Sequence, residues 1–289
     1  MISFVTGMVL LAAVLHATWN AVVKSGTDRL LTQTVVIGVA SLVGLCALPF
    51  LPFPVAASWP WLLASVMIHL VYFLALTASY EHGDFSQVYP IARGSAPLLV
   101  AAAAPFLFGE TLSVAGSLGV AVISLGILSL AWQPDLFRRR PEKPILFALI
   151  TAVTIMGYSL VDARGVRIAA AADGDTGAFG YIAWLFFLCG PVLAAVVLPR
   201  RRGRLRGFMG DDRGRSIGGG IVACAAYSLV LWAFSLGAVA SVTALRETSV
   251  VIAAGIGAVL FREAFGFRRI LAAVAVALGV VLLNAGGAP

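Results

Sequence analysis

Charge is what this sequence lacks. Of its 289 residues only 11% are Asp, Glu, Lys or Arg, 61% are hydrophobic, and the mean hydropathy is +1.00. That balance excludes a water-soluble domain and points to a polytopic α-helical membrane protein. Cysteine is nearly absent. Cys46, Cys189 and Cys224 each lie inside an apolar run, with no disulfide framework and no metal-ligand spacing, so packing is their expected role. Histidine is equally scarce, and the three residues fall on different segments. No H-E-x-x-H, paired-aspartate or Ser/His/Asp arrangement appears, which argues against a membrane-embedded enzyme. No metal and no cofactor are expected. The N-terminal run also lacks a basic leader. It holds His16, Trp19 and Asn20 before Lys24, and reads as a first span, not as a removable signal.

What the chain has in quantity is apolar runs. A spanning helix needs about 20 apolar residues. Ten runs qualify: 2–23, 30–51, 59–80, 85–108, 112–132, 145–161, 179–198, 217–236, 239–261 and 270–283. Prolines 49, 52 and 54 end the second, and Trp59 and Trp61 open the third as an interfacial aromatic belt. The links at 81–84 and 109–111 are so short that their flanking helices must be antiparallel neighbours. The expected fold class is therefore all-α, with ten transmembrane helices.

The polar connection 133–144 divides the chain into two repeats of five spans, at 1–132 and 144–285. At an ungapped offset of 153 residues, Arg93 falls on Arg246, Phe108 on Phe261, Glu110 on Glu263, and Leu125-Gly126 on Leu278-Gly279. The Arg and Glu matches carry weight because both types are rare here. Five is an odd number, so the second repeat runs through the membrane inverted. Such repeats are typical of secondary transporters, with the binding site near the midplane.

The net charge of +7 would suit nucleic acid, but the basic residues sit in loops. Sixteen Lys and Arg occupy the odd-numbered loops, and only Arg164 and Arg167 the even-numbered ones. The positive-inside rule places loops 24–29, 133–144, 199–216 and 262–269 in the cytoplasm of a cell (inner) membrane, with both termini outside. No nucleic-acid partner is expected; the expected partners are membrane lipids and a small-molecule substrate.

Two arginines break the apolar pattern. Arg93 lies about 12 Å into its helix at ~1.5 Å per residue, within Tyr89-Pro-Ile-Ala-Arg-Gly94. Arg246 lies in Leu245-Arg-Glu-Thr-Ser249. A charge at membrane depth is costly and normally faces a bundle interior or a wet cavity. Two roles are open: clamping a substrate carboxylate or phosphate through paired hydrogen bonds, or an internal ion pair or helix-carbonyl contact that holds the bundle together, with Glu247, Glu81, Asp84 and Asp162 as available partners. Pro90 and Pro97 predict a bent, cavity-lining fourth span. His16 and Asn20, four apart, share a face of the first span, and Tyr158 and Asp162 share one on the sixth. His16 and Asp162 are the candidate proton-coupling sites. His69, Tyr72, Tyr227 and Trp232 offer aromatic and hydrogen-bonding walls. Glu110 and Glu263 precede the fifth and tenth spans, where a carboxylate serves free helix amides. Small residues in the fifth, ninth and tenth spans suit close helix approach, either between the halves or in a homodimer, so monomer and homodimer both stay open.

Ten spans, two five-span halves, a Gly-Glu or Arg-Glu at each fourth-to-fifth junction, and the Tyr89–Gly94 segment together resemble the EamA-type branch of the drug/metabolite transporter superfamily. The resemblance covers essentially the whole chain. It implies secondary transport, often export, of amino acids or other small metabolites, through a cavity walled by the first, third, fourth, sixth, eighth and ninth spans. Matched span by span, it implies substrate-binding roles for His16, Asn20, Tyr72, Tyr89, Arg93, Tyr227, Trp232, Arg246 and Glu247, with Asp162 in the same cavity. Many members of that family have a basic second-to-third loop and a basic C-terminal tail, with termini in the cytoplasm. Here neither segment carries Lys or Arg. A passive facilitator would read the same way in sequence, although nothing resembles a repeated selectivity filter.

Overall fold

A computed structural model describes residues 4–26, 28–82, 85–131, 142–205, 208, 213–260 and 266–286. Asp84, the loop at 133–141, Phe261, Arg262 and Glu263 lie outside the described residues, as does the side chain of Glu81. The described chain is helical: α1 Phe4–Ser25, α2 Arg29–Ala47, α3 Trp59–His82, α4 Phe85–Phe108, α5 Val114–Ser129, α6 Glu142–Arg201, α7 Arg213–Leu236, α8 Val239–Arg246, α9 Ser249–Leu260 and α10 Phe267–Ala285, with short 3-10 turns between. Among the described residues, seven helical stretches are long and apolar enough to cross a membrane, and Val114–Ser129 is a shorter apolar helix.

One of those stretches, Lys143–Arg204, has 62 residues. At ~1.5 Å per residue that is about 90 Å, three times the ~30 Å hydrocarbon core. It does not run straight. Asp173 (φ −129°) and Gly174 (φ +62°, ψ −145°) leave the helical region and split α6 into two limbs, 142–172 and 175–201. Gly174 takes a positive φ that a Cβ would oppose. The connection expected at 162–178 is thus mostly helix. Ala169 to Ala172 are the strongest helix formers, and nothing stops the helix before the glycine. Asp162 and Arg167 therefore sit inside a helix, not in a surface loop.

The ninth run departs in the other direction. It is broken between α8 and α9 at Glu247 and Thr248, where the amides turn back to Ala244 and Leu245 carbonyls at 3.2 and 3.1 Å. The Thr248 hydroxyl donates to the Leu245 carbonyl at 2.7 Å, so the turn is satisfied internally. The fourth run, by contrast, stays one helix through Pro90, Pro97 and Pro105. It ends at Gly109 (φ +66°), whose amide bonds the Pro105 carbonyl at 3.0 Å in a left-handed cap.

α1 packs on α7, α3 on the first limb of α6, α2 on its second limb, α5 on α10, and α4 on α5 and α8. Glycines set the closest crossings. A Cβ on Gly119 would stand 2.8 Å from the Gly279 carbonyl oxygen, and one on Gly279 would stand 2.8 Å from that of Gly119. Phe4, Leu11, Leu42, Met67, Phe106, Leu125 and Val281 face outward. The interior holds His16, His69, Arg93, Asp162, Arg246 and Glu247. A molecule apolar outside and polar within suits a lipid solvent.

Candidate functional site

The two interior arginines meet. Arg93 reaches from the middle of α4 and Arg246 from the last residue of α8, and both end on Glu247 at the α8–α9 break. Arg93 Nε lies 2.6 Å from Glu247 Oε2; Arg246 Nε and Nη2 donate to Oε1 at 3.1 and 2.9 Å. Arg93 Nη2 also donates to Ser249 Oγ at 3.3 Å. All three charged side chains are at most 1% exposed. Two guanidinium groups share one carboxylate, so the cluster keeps one net positive charge in a low-dielectric interior. Among the described residues, Arg246 Nη1 has no hydrogen-bond partner. Among the described residues, Glu247 is the acid that pairs with both. The helix break puts its carboxylate between them.

A cavity of about 50 Å³ lies beside this cluster. It is lined by His16 and Trp19 of α1, Ile37 and Ala40 of α2, His69, Tyr72 and Phe73 of α3, Tyr158 of the first limb, Leu185, Phe186 and Cys189 of the second, and Ala223 and Tyr227 of α7. Each lies well inside its helix, so the cavity is at mid-membrane depth. Its size admits a few waters. Tyr158 joins cavity to cluster, since its ring lines the cavity while the Arg246 guanidinium lies 5.5 Å from its centroid. The walls differ from those the resemblance implies. α2 and the second limb of α6 line the cavity, whereas α4 and α8 contribute the arginine cluster behind Tyr158.

The remaining expected residues divide. His16 faces the cavity edge-on to Trp19, with ring centroids 5.0 Å apart, and among the described residues neither ring nitrogen has a hydrogen-bond partner, nor does Trp19 Nε1. Buried polar atoms without partners are costly, and here they border a space that a polar ligand would fill. Tyr72 and Tyr227 line the same space. Asn20 does not: its amide donates to the His16 carbonyl of its own helix at 2.7 Å. Trp232 stands apart, donating from Nε1 to Asp175 at 3.0 Å and packing on Phe4 and Phe179. Tyr89 stays with the cluster, its ring centroid 5.8 Å from the Arg93 guanidinium.

Asp162 is wholly buried and accepts hydrogen bonds from Tyr227 at 2.6 Å and Tyr181 at 3.1 Å. Tyr227 meets the ring of His69 at 5.5 Å, and His69 stacks on Tyr158 at 4.3 Å. His69 Nδ1 lies 3.1 Å from Ser65 Oγ and 3.0 Å from the Ser65 carbonyl. An unbroken line of polar and aromatic groups thus runs from Asp162 past the cavity to Arg93. Tyr181 is the member that sequence reasoning missed. A single tyrosine in an apolar run gives no sign of the carboxylate it meets.

One more ionic contact lies nearer one end of the bundle. Arg167 Nη1 pairs with Glu110 Oε1 at 2.5 Å, while its Nε and Nη2 donate to the carbonyls of Phe234 and Gly237 at 2.8 and 2.7 Å. Glu110 Oε2 accepts the Val239 amide at 3.0 Å. Glu110 therefore serves the N-terminus of α8, not that of α5, which Ser113 caps.

Residues 143–285 match the model of the EamA-like transporter family. A solved crystal structure superposes on 97% of this chain and 95% of its own with a TM-score of 0.71, at 17% sequence identity, which shows a shared fold. No curated protein matches the chain in sequence. With its second half matched by the family model, this chain belongs to the EamA-like transporter family, in the drug/metabolite transporter superfamily.

Proposed function

We propose that this protein is a secondary transporter of the cell membrane that exports a small polar metabolite bearing a carboxylate, an amino acid among the candidates, by alternating access of two inverted five-helix repeats. The observation that carries the reading is the Arg93–Glu247–Arg246 cluster. It joins α4 to the α8–α9 break, keeps one positive charge uncompensated among the described residues, and lies beside a mid-membrane cavity edged by His16, which has no hydrogen-bond partner among them. A substrate carboxylate would supply the missing negative charge and take bonds from Arg246 Nη1. Asp162, tied to the cavity wall through Tyr227, is the proton-coupling candidate, together with His16.

The inverted-repeat reading counts the two limbs of α6 as separate crossings and α8 with α9 as one, making ten. The packing supports it. At the offset of 153 residues the Gly119–Gly279 contact maps onto Gly126–Ala272, and Ile123–Gly279 onto Gly126–Val276; all four approaches occur. Between α2 and the second limb, Gly44 meets the Ala183 carbonyl while Gly190 meets that of Ile37. Alternating access needs closures at both ends. Arg167–Glu110 joins the even-numbered connections, and Asp28 with Arg201 and Arg204 joins two odd-numbered ones.

The test is counterflow in proteoliposomes, with substrates chosen by a thermal-shift screen of amino acids, amines and small organic acids. Carboxylate-dependent exchange that Arg246→Gln abolishes is the expected result. Flux that both Arg93→Gln and Arg246→Gln leave unchanged would sink this reading. Exchange indifferent to an imposed proton gradient would make the protein a facilitator.

A further inference from the structure

The second limb of α6 leaves its apolar run at Pro199 and at once lays down Arg200, Arg201 and Arg202, with Arg204 beyond Gly203. The 3-10 turn Arg202–Arg204 brings this basic stretch to the start of α2. There Arg201 and Arg204 both reach Asp28 Oδ2, at 3.5 and 3.2 Å. The other Asp28 oxygen accepts the Leu31 amide at 3.2 Å and caps α2. A groove of about 480 Å³ opens between the two helix ends, lined by Leu30, Arg200, Arg201, Gly203 and Arg204.

Three features define what this groove takes. The guanidinium groups of Arg200, Arg201 and Arg204 line it, and Asp28 answers Arg201 and Arg204. Arg200 and Arg204 engage protein through Nη1, and a guanidinium has five N–H donors, so donors remain for a ligand. The groove also lies where an apolar helix ends, at headgroup depth, with Leu30 in its wall. We propose that it is a binding site for the phosphodiester of an anionic phospholipid, with the first acyl carbons on Leu30. Arginine forks match phosphate oxygens in pairs, and basic pockets at membrane-helix ends suit such headgroups.

The test is thermal unfolding of the full chain in detergent with added phosphatidylglycerol, phosphatidylcholine or inorganic phosphate. Phosphatidylglycerol is expected to raise Tm by several degrees, while phosphatidylcholine and inorganic phosphate do not. The shift is expected to vanish in R200Q/R201Q/R204Q and to persist in the charge-matched R213Q/R215Q/R268Q. Should the triple variant fail to fold, Arg204→Gln alters a side chain two-thirds exposed and is expected to at least halve the shift. Equal shifts with phosphatidylcholine, or a shift that inorganic phosphate reproduces, would overturn the proposal. So would loss of the shift in both triple variants alike, since that is general attraction to a basic face.

Discussion

At the scale of single residues, the cluster makes a charge argument with a sign. Glu247 is the counter-ion of two buried guanidinium groups. Glu247→Gln strands both, and breaking a buried pair costs about 3–5 kcal/mol. Arg93→Gln instead leaves one arginine on one carboxylate. Thermal unfolding in detergent is expected to rank the variants wild type, Arg93→Gln, then Glu247→Gln in falling stability. An equal loss in both would mean that the cluster's charge balance does not govern the fold. Asp162 has a different place, behind Tyr227, and its role concerns coupling. In proteoliposomes Asp162→Asn is expected to keep counterflow and lose acceleration by a proton gradient. Persisting gradient dependence would remove Asp162 from the proton path. The arginines were legible in the sequence because they are two scarce residues at matching positions. Their partner was not: four acids were available, and a helix break sets one of them, Glu247, between the two guanidinium groups. His16 and Asn20 show the same limit. Their spacing puts them on one face, yet the asparagine is consumed by a carbonyl one turn away.

At the scale of elements, α5 and α10 touch backbone to backbone. A methyl added at Gly119 would come within 2.9 Å of the Gly279 carbonyl, the Leu283 amide and the Leu283 side chain, and two of those atoms are main chain that cannot rotate aside. Gly119→Ala is expected to lower stability by about 1–3 kcal/mol despite alanine's better helix propensity. Gly7 has nothing within 4 Å, so Gly7→Ala serves as the control and is expected to be neutral or mildly stabilising. Matched Tm losses in the two would mean that the α5–α10 contact is not close in the membrane. Apolar runs located the helices well because length and hydropathy suffice for that. They failed where a helix continues through polar residues, as at Asp162 to Arg167, and where it breaks within an apolar run, as at Glu247. Hydropathy records neither the propensity of four alanines nor the bond from the Thr248 hydroxyl that stabilises a turn.

At the scale of the molecule, the Arg167–Glu110 pair ties the α4–α5 turn to α6 and to the α7–α8 junction. Both side chains are about a quarter exposed, so the pair is worth up to ~1 kcal/mol. Removing it is expected to shift the open population up to about fivefold. Cys189 lines the cavity and reports that opening. In a Cys46→Ser, Cys224→Ser background, Glu110→Gln is expected to speed labelling of Cys189 by a membrane-impermeant maleimide applied outside the cell. Faster labelling from the inner side alone would reverse the orientation drawn from loop charge. An unchanged rate from both sides would mean that this pair is no gate.

The position equivalent to Glu247 in the first half, at the 153-residue offset, is Gly94. A side chain there would meet the Ser124 carbonyl oxygen at 3.1 Å and Leu128 at 2.9 Å, so no second acid fits. One carboxylate serving two cations, with no counterpart in the first half, makes the two halves unlike in charge. In the proposed rocking cycle, the inward- and outward-facing forms then differ in energy even when empty. The unloaded carrier would have a preferred parking side, fixed by a glycine whose only visible business is letting two helices touch.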